Sequence, residues 1–226
     1  KDTACGLVFH KLSDASAAFV DKILFAYDNL PPSIRRLRQA VSRDNTGLLR
    51  LSNGSSITVS LSHRSGTLQW LHISEYGKIC ARDPIRAKEI QSGALNTVAP
   101  GNYVTIESTA EGQYGDFYAK CQKALELRRQ IAAGTAKLTA MDYRIHFLPW
   151  FEDDTYELDP EGVVITDDYL EYFAQVEAET GFELNARKRA WYVKKHQEQG
   201  DLMYREYPST PKEAFRATKD GSYYGK

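Results

Sequence analysis

The sequence predicts an α/β protein, a mostly parallel sheet flanked by helices with a small helical subdomain at its carboxyl end. Three observations predict it. Short apolar runs of strand length alternate, over the first two-thirds of the chain, with stretches whose apolar residues recur at helical spacing. Two of those runs, Leu68 to Ile73 and Tyr103 to Ile106, lead directly into small polar and acidic residues: Ser74-Glu75 after the first, Glu107-Ser108-Thr109-Ala110-Glu111 after the second. Beyond Trp150 the strand signals give way to an acidic connector and two helical stretches. The second observation matters most, because open parallel sheets bind ligands beyond the carboxyl ends of their strands.

The elements follow in order. Thr3 to His10 reads as a buried strand, and Ser13 or Asp14 as the cap of a helix whose Phe19, Val20, Ile23, Leu24 and Tyr27 share one face. Asn29 and Pro31-Pro32 end that helix. Leu48 to Leu51 and Ser56 to Leu61 flank Asn53-Gly54, a hairpin signal. Leu68 to Ile73 is the next strand. Asp83-Pro84 places an N-cap before a proline at the first helical position, with the helix running toward Leu95. Asn102 to Ile106 is a strand, Gln113 to Ile131 a long helix, and Tyr143 to Leu148 closes the strand series. After an acidic connector (Glu152, Asp153, Asp154, Glu157, Asp159, Glu161) come an acidic helix, Asp167 to Thr180, and a basic one, Ala186 to Gln199. A short turn at Glu213-Ala214-Phe215 follows Tyr207-Pro208-Ser209-Thr210-Pro211. Residues 1–150 are therefore expected to form the sheet-bearing core, and 151–226 a helical lid or linker.

Composition excludes several classes. With 226 residues and 42% hydrophobic content, the chain can bury a substantial core. Its net charge of −1 confines any nucleic-acid contact to a local patch. Cys5, Cys80 and Cys121 are too dispersed for a zinc site or disulfide framework and read as free thiols. No apolar run approaches the roughly 18 residues of a membrane span, so a soluble protein is expected. The chain opens without Met close to a strand, as a fragment would.

A carboxylate at the end of a buried strand can orient a water and take its proton, which makes Glu75 the foremost catalytic candidate. Ser74 is a candidate Mg²⁺ ligand, directly or through water, although a hydroxyl is a weaker ligand for this hard cation than a carboxylate. Taken alone, Ser74-Glu75 reads more readily as a solvated strand end. Ser108, Thr109 and Ala110 are either a sensor of a bound phosphate or the cap of the helix that follows, starting near Gly112. Arg64, in the loop before the Glu75 strand, either neutralises phosphate charge or is an exposed loop arginine. Arg35, Arg36, Arg38 and Arg43, which with Arg50 meet only Asp44 among neighbouring acids, and Arg82 and Arg86 beyond the Glu75 strand, are candidates for contacting DNA phosphates. The five histidines show no metal-ligand spacing, and His72, in mid-strand, reads as a core residue.

Taken together these strings resemble the large subunit of tailed-phage terminases, the ATP-driven DNA-packaging motors. The resemblance is carried by Phe25-Ala26-Tyr27-Asp28-Asn29-Leu30-Pro31, Ser62-His63-Arg64-Ser65-Gly66-Thr67 and Leu71-His72-Ile73-Ser74-Glu75. It continues through Thr105-Ile106-Glu107-Ser108-Thr109-Ala110, Pro149-Trp150-Phe151 and Tyr207 to Phe215. It implies a P-loop NTPase-like fold with ATP and Mg²⁺ as cofactors. Glu75 would be the catalytic base at the end of the Walker B strand, and Ser108-Thr109-Ala110 the motif coupling hydrolysis to motion. The implied partners are double-stranded DNA, the portal, the small terminase subunit and further copies in a ring. The implied location is the bacterial host cytoplasm, transiently on the procapsid. Two departures stand out: the 226 residues contain no GxxxxGK[ST] phosphate loop, and no nuclease carboxylates can be assigned. The competing reading is a catalytically inert prophage-derived fragment serving only to dock or contact DNA. A helicase is disfavoured by Ser74 where Asp usually precedes the Glu.

Overall fold

The structure is a computed structural model that describes residues 2–64 and 66–216. The chain forms two compact units: Lys1–Ser108 with Gly115–Tyr143, and Thr109–Tyr114 with Arg144–Lys226.

The first unit is built on a six-stranded sheet: β1 (Ala4–Val8), β2 (Ala40–Arg43), β3 (Leu48–Leu51), β4 (Ser56–Ser60), β5 (Leu68–Ser74) and β6 (Val98–Glu107), in spatial order β2-β3-β4-β1-β5-β6. The four strands β4, β1, β5 and β6 run parallel, while β2 and β3 pair antiparallel at one edge. The mostly parallel α/β architecture expected from the sequence is therefore present. So is the hairpin, with Leu49 opposite Ile57 and Gly54 in the left-handed conformation (φ 85°) that the turn requires.

Helices cover different parts of the two sheet faces. Val8, Leu71 and Ile73 pack against Tyr76, Ile79 and Cys80 of α4 (Tyr76–Arg82) and Ala87 and Ile90 of α5 (Pro84–Ser92). Asp83 caps α5 through the Arg86 amide, as the Asp-Pro pair predicts. On the opposite face, Leu49, Ile57 and Val59 pack beneath Phe19, Leu24 and Tyr27. Those residues come from a π-helical stretch, Phe19–Leu24, and α2 (Phe25–Asp28), which continue from α1 (Leu12–Ala18). At β5 and β6 that second face leaves Trp70 and Tyr103 exposed. The long helix α6 (Gly115–Ala132) completes the unit.

Several expectations need correction. Neither Ser13 nor Asp14 caps α1. The cap position is Lys11, without a side-chain hydrogen bond, and Ser13 Oγ turns to Asp14 instead. Pro32 does not merely stop a helix; it opens α3 (Pro32–Leu37), because proline's missing N–H is harmless at a first turn. The strand β2 and helix α4 are absent from the sequence expectation. Residues 143–148 form no strand: burial alternates there as in a strand, but no neighbouring described backbone supplies a ladder. Alternation records an extended chain with two faces, and only a partner makes it a strand.

The second unit is helical. Its α7 (Asp167–Thr180) and α8 (Ala186–Gln199) have the bounds expected from the sequence, Gly181 closing α7 at φ 73° and Asn185 capping α8 through the Lys188 amide. Phe173, Val176, Tyr192 and Val193 pack with Trp150, Phe151, Leu184 and Met203. Trp150 stacks on Trp191 at 5.4 Å, and Tyr156 stacks on the same indole at 4.5 Å. The short helices α9 (Met203–Glu206) and α10 (Pro211–Ala214) follow. The basic residues of α8 serve this packing: buried Lys188 donates to the Asp153 carbonyl, Arg187 pairs with Glu157, and Arg189 with Glu177. Among the described residues no helix is long and apolar enough to cross a membrane.

Candidate functional site

The parallel register of β5 and β6 decides the site. Ile73 lies beside Ile106, and one residue further Ser74 lies beside Glu107. Because side chains alternate along strands, His72 and Ser74 share a face with Thr105 and Glu107, whereas Leu71 and Ile73 point into the apolar core. The two strands therefore deliver an imidazole, a hydroxyl and a carboxylate to one rim.

The chain then turns sharply at Glu75. This is the one non-glycine residue among those described with positive φ, at φ 56° and ψ 41°. A left-handed residue with a Cβ costs about 1–2 kcal/mol, and such outliers concentrate at functional positions. The strain lets the strand end and α4 begin within a single residue, leaving the Glu75 side chain at the lip of the sheet. Lys78 Nζ lies 3.0 Å from Glu75 Oε2, one helical turn on. That contact is an ion pair without hydrogen-bond geometry, since Oε2 is buried and, among the described residues, accepts no hydrogen bond. A shielded carboxylate oxygen with open accepting capacity is suited to receive a proton from a water.

Glu107 is the acid partner that the sequence analysis did not single out. His72, whose Nε2 is 3.6 Å away, together with the Ser74 hydroxyl and the Glu75 amide, holds its carboxyl below the usual range. At 3.6 Å the imidazole acts as an electrostatic neighbour, and Nε2 makes no hydrogen bond to the described residues. His72 is thus half-buried on the polar face, not a core residue. The cross-strand register with Ser74 was the signal that could have found Glu107, and it becomes legible only once β5 and β6 are known neighbours.

Ser108 Oγ accepts from the Gly77 amide at 3.0 Å. It satisfies an otherwise open donor in the first turn of α4, 31 residues upstream in sequence, whereas the sequence pointed to the helix that follows. Thr109 and Ala110 belong to the other compact unit; Ala110 is buried, and the buried Thr109 Oγ1 has no hydrogen-bond partner among the described residues. Arg64 is not brought to the rim: its exposed guanidinium pairs with Glu89 at 2.8 Å.

The arginines divide by role. Arg86 Nε donates to the Leu61 carbonyl and its terminal nitrogens to the carbonyls of His10 and Phe9, fastening the chain just past β1 and β4. Three of its five N–H donors are thus committed to backbone carbonyls. Arg43 makes a bidentate pair with Asp28 at 2.6 and 2.7 Å, so the acid facing this run is Asp28. Asp44 turns instead onto the amides of Thr46, Gly47 and Leu48. Arg35 donates to the Asp28 carbonyl and Arg38 to that of Leu37; Arg35, Arg36, Arg38 and Arg82 are exposed.

Net charge conceals a division between the units. The sheet-bearing unit holds 18 Lys and Arg against 12 Asp and Glu, net +6, and the helical unit 11 against 18, net −7. The balanced whole therefore hides a basic sheet-bearing unit and an acidic helical one.

For ATP and Mg²⁺ the residues fit in part. Ser74, Glu75 and Glu107 supply a hydroxyl and two carboxylates at one rim. Among the described residues no group of three or more His, Cys, Asp and Glu side chains could hold a metal. The glycine loop and lysine that grip phosphates are not in this sequence.

No family model matches the chain, and no curated protein matches it in sequence. Among solved structures, its fold is similar to that of the large terminase of bacteriophage HK97, with a TM-score of 0.50 over 92% of this chain at 12% identity. The chain corresponds to 39% of the length of that terminase, and at this identity the likeness concerns the fold.

Proposed function

We propose that this chain is part of the ATPase of a viral DNA-packaging motor, in which ATP hydrolysis drives double-stranded DNA into a procapsid. The observation that carries the reading is the rim: Glu75, strained into the left-handed conformation, stands beside the in-register pair Ser74 and Glu107. The terminase-like fold and the charge of the sheet-bearing unit support it.

In this reading Glu75 orients a water and takes its proton at Oε2, with Lys78 holding the carboxylate in place. Ser74 and Glu107 face the Mg²⁺ side, the hydroxyl directly or through water. Bound MgATP supplies the phosphoryl group and the divalent charge that stabilises its transfer. The phosphate cradle must come from residues outside these 226. β5 is flanked on both sides by β1 and β6, whereas β6 has an open edge among the described residues, so a cradle-bearing strand reaches this rim by adding to β6. Arg64, held away from its own rim, is left with the role of completing a neighbouring subunit's site in a ring. Ser108, Thr109 and Ala110 link the rim to the helical unit, which serves as the lid. Arg35, Arg36, Arg38 and Arg82 contact DNA phosphates. The portal and the small terminase subunit are the remaining partners, in the host cytoplasm.

The test is Glu75→Gln in a protein containing both this chain and its phosphate loop. ATP binding is expected to persist while turnover falls at least about a hundredfold. Retained turnover removes Glu75 from the role. The inert docking reading predicts no ATP turnover even before substitution.

A further inference from the structure

The six residues that follow the β6 rim, Thr109–Tyr114, are covalently continuous with the sheet-bearing unit on both sides yet belong to the helical unit. Ala110 is buried there, and the loop bears two buried polar atoms without hydrogen-bond partners among the described residues, Thr109 Oγ1 and Glu111 Oε1. The other Glu111 oxygen, Oε2, meets Arg205 of α9 at 3.5 Å. The Glu111 side chain is only 14% exposed and that of Arg205 27%. Arg205 also pairs with Glu206 at 2.8 Å, so one guanidinium bridges two carboxylates.

An exposed ion pair at 3.5 Å would contribute little. Here the carboxylate is largely withdrawn from water, so losing its cation leaves a shielded charge uncompensated. Among the described residues no other cation is paired with Glu111. Among the described residues this is the one ion pair between the loop and the rest of the helical unit.

We infer that Arg205 is a positioning residue that tethers the loop after β6 to the helical unit, so that a change at the Glu75–Glu107 rim is delivered to that unit. The coupling role rests on the packaging-ATPase reading; the tether itself does not.

Hydrogen exchange on this 226-residue chain tests the tether. Arg205→Ala is expected to raise exchange of the 109–114 amides at least about tenfold while α7 amides keep their protection, and Arg205→Lys to restore most of it. In an assembled motor containing the chain, Arg205→Ala is expected to leave ATP turnover within about twofold and to lower DNA moved per ATP at least about tenfold. Unchanged loop exchange, or unchanged DNA moved per ATP, overturns the inference. A wild-type motor that hydrolyses no ATP overturns the packaging reading instead, and the exchange measurement still decides the tether.

Discussion

Ser74 and Glu107 stand side by side at the ends of two adjacent parallel strands, and the residue after Ser74 is the left-handed Glu75. The register places the hydroxyl against the carboxylate; the strained turn places the second carboxylate at the sheet's lip.

The strain is measurable by comparing two truncations. Glu75→Gly and Glu75→Ala both remove the carboxylate and the Lys78 pair, but only glycine escapes the left-handed penalty. Glycine is expected to be the more stable by about 1 kcal/mol, or roughly 2–4 °C in melting temperature for a chain of this size. Alanine matching or exceeding glycine in a thermal melt would show that the backbone is not strained there.

Glu107 predicts an acid-sensitive rim. Its folded-state pKa is depressed by His72, Ser74 and the Glu75 amide, so its contribution is present above the ordinary carboxylate value of about 4.3 and is lost as pH falls through the folded value. Glu107→Gln should flatten that part of the acid limb in denaturant melts. An acid limb of unchanged shape would mean that these neighbours do not stabilise the ionised form.

Glu213 predicts the opposite dependence in the helical unit. Burial raises its pKa, although Tyr172, the Ser209 amide and the Thr210 turn partly favour the charge. A raised carboxyl contributes stability that is complete below its unfolded value and lost as pH rises through the folded one. Trp150, which donates to Ser209 at 2.9 Å in the same network, is a built-in reporter. The fluorescence-detected melt should lose stability as pH climbs above the usual carboxylate range, and Glu213→Gln should remove that loss. A melt independent of pH over that interval would count against the buried carboxyl.

The two halves of the arginine set should separate cleanly. Arg86→Ala strips donors from three backbone carbonyls and is expected to cost about 2 kcal/mol in stability. Replacing Arg35, Arg36 and Arg38 by Glu should leave the melt within about 0.5 kcal/mol. It should also weaken DNA binding and flatten its dependence on salt, by roughly 0.9 in log-log slope for each phosphate no longer neutralised. DNA binding unchanged by the triple substitution would return that run to an ordinary solvated face.

Legibility from sequence followed the range of the interactions. Asn53-Gly54 and Asp83-Pro84 announce their turn and cap because the hydrogen bonds involved lie within a few residues, and the helical stretches of α7 and α8 are continuous enough to give their bounds. Residues 143–148 show where such reading fails: their alternation is real, but a strand needs a partner that local pattern cannot supply. Lys11 at the α1 cap position, and Glu75 at the start of α4, are equally opaque, since neither residue type favours those conformations on its own.

The sequence by itself determined which residues arrive at the rim. Apolar runs of strand length must be buried, so whatever follows them is delivered to the sheet's edge, Ser74-Glu75 and Glu107-Ser108 included. Only the tertiary structure decided how those residues meet. Strand order and register are set by the packing of distant side chains, and they placed Glu107 against Ser74, gave Ser108 to the α4 amide and tied Arg86 to three backbone carbonyls. The partition of charge was also settled there, because folding assigns +6 to one compact unit and −7 to the other from a chain whose sum is −1.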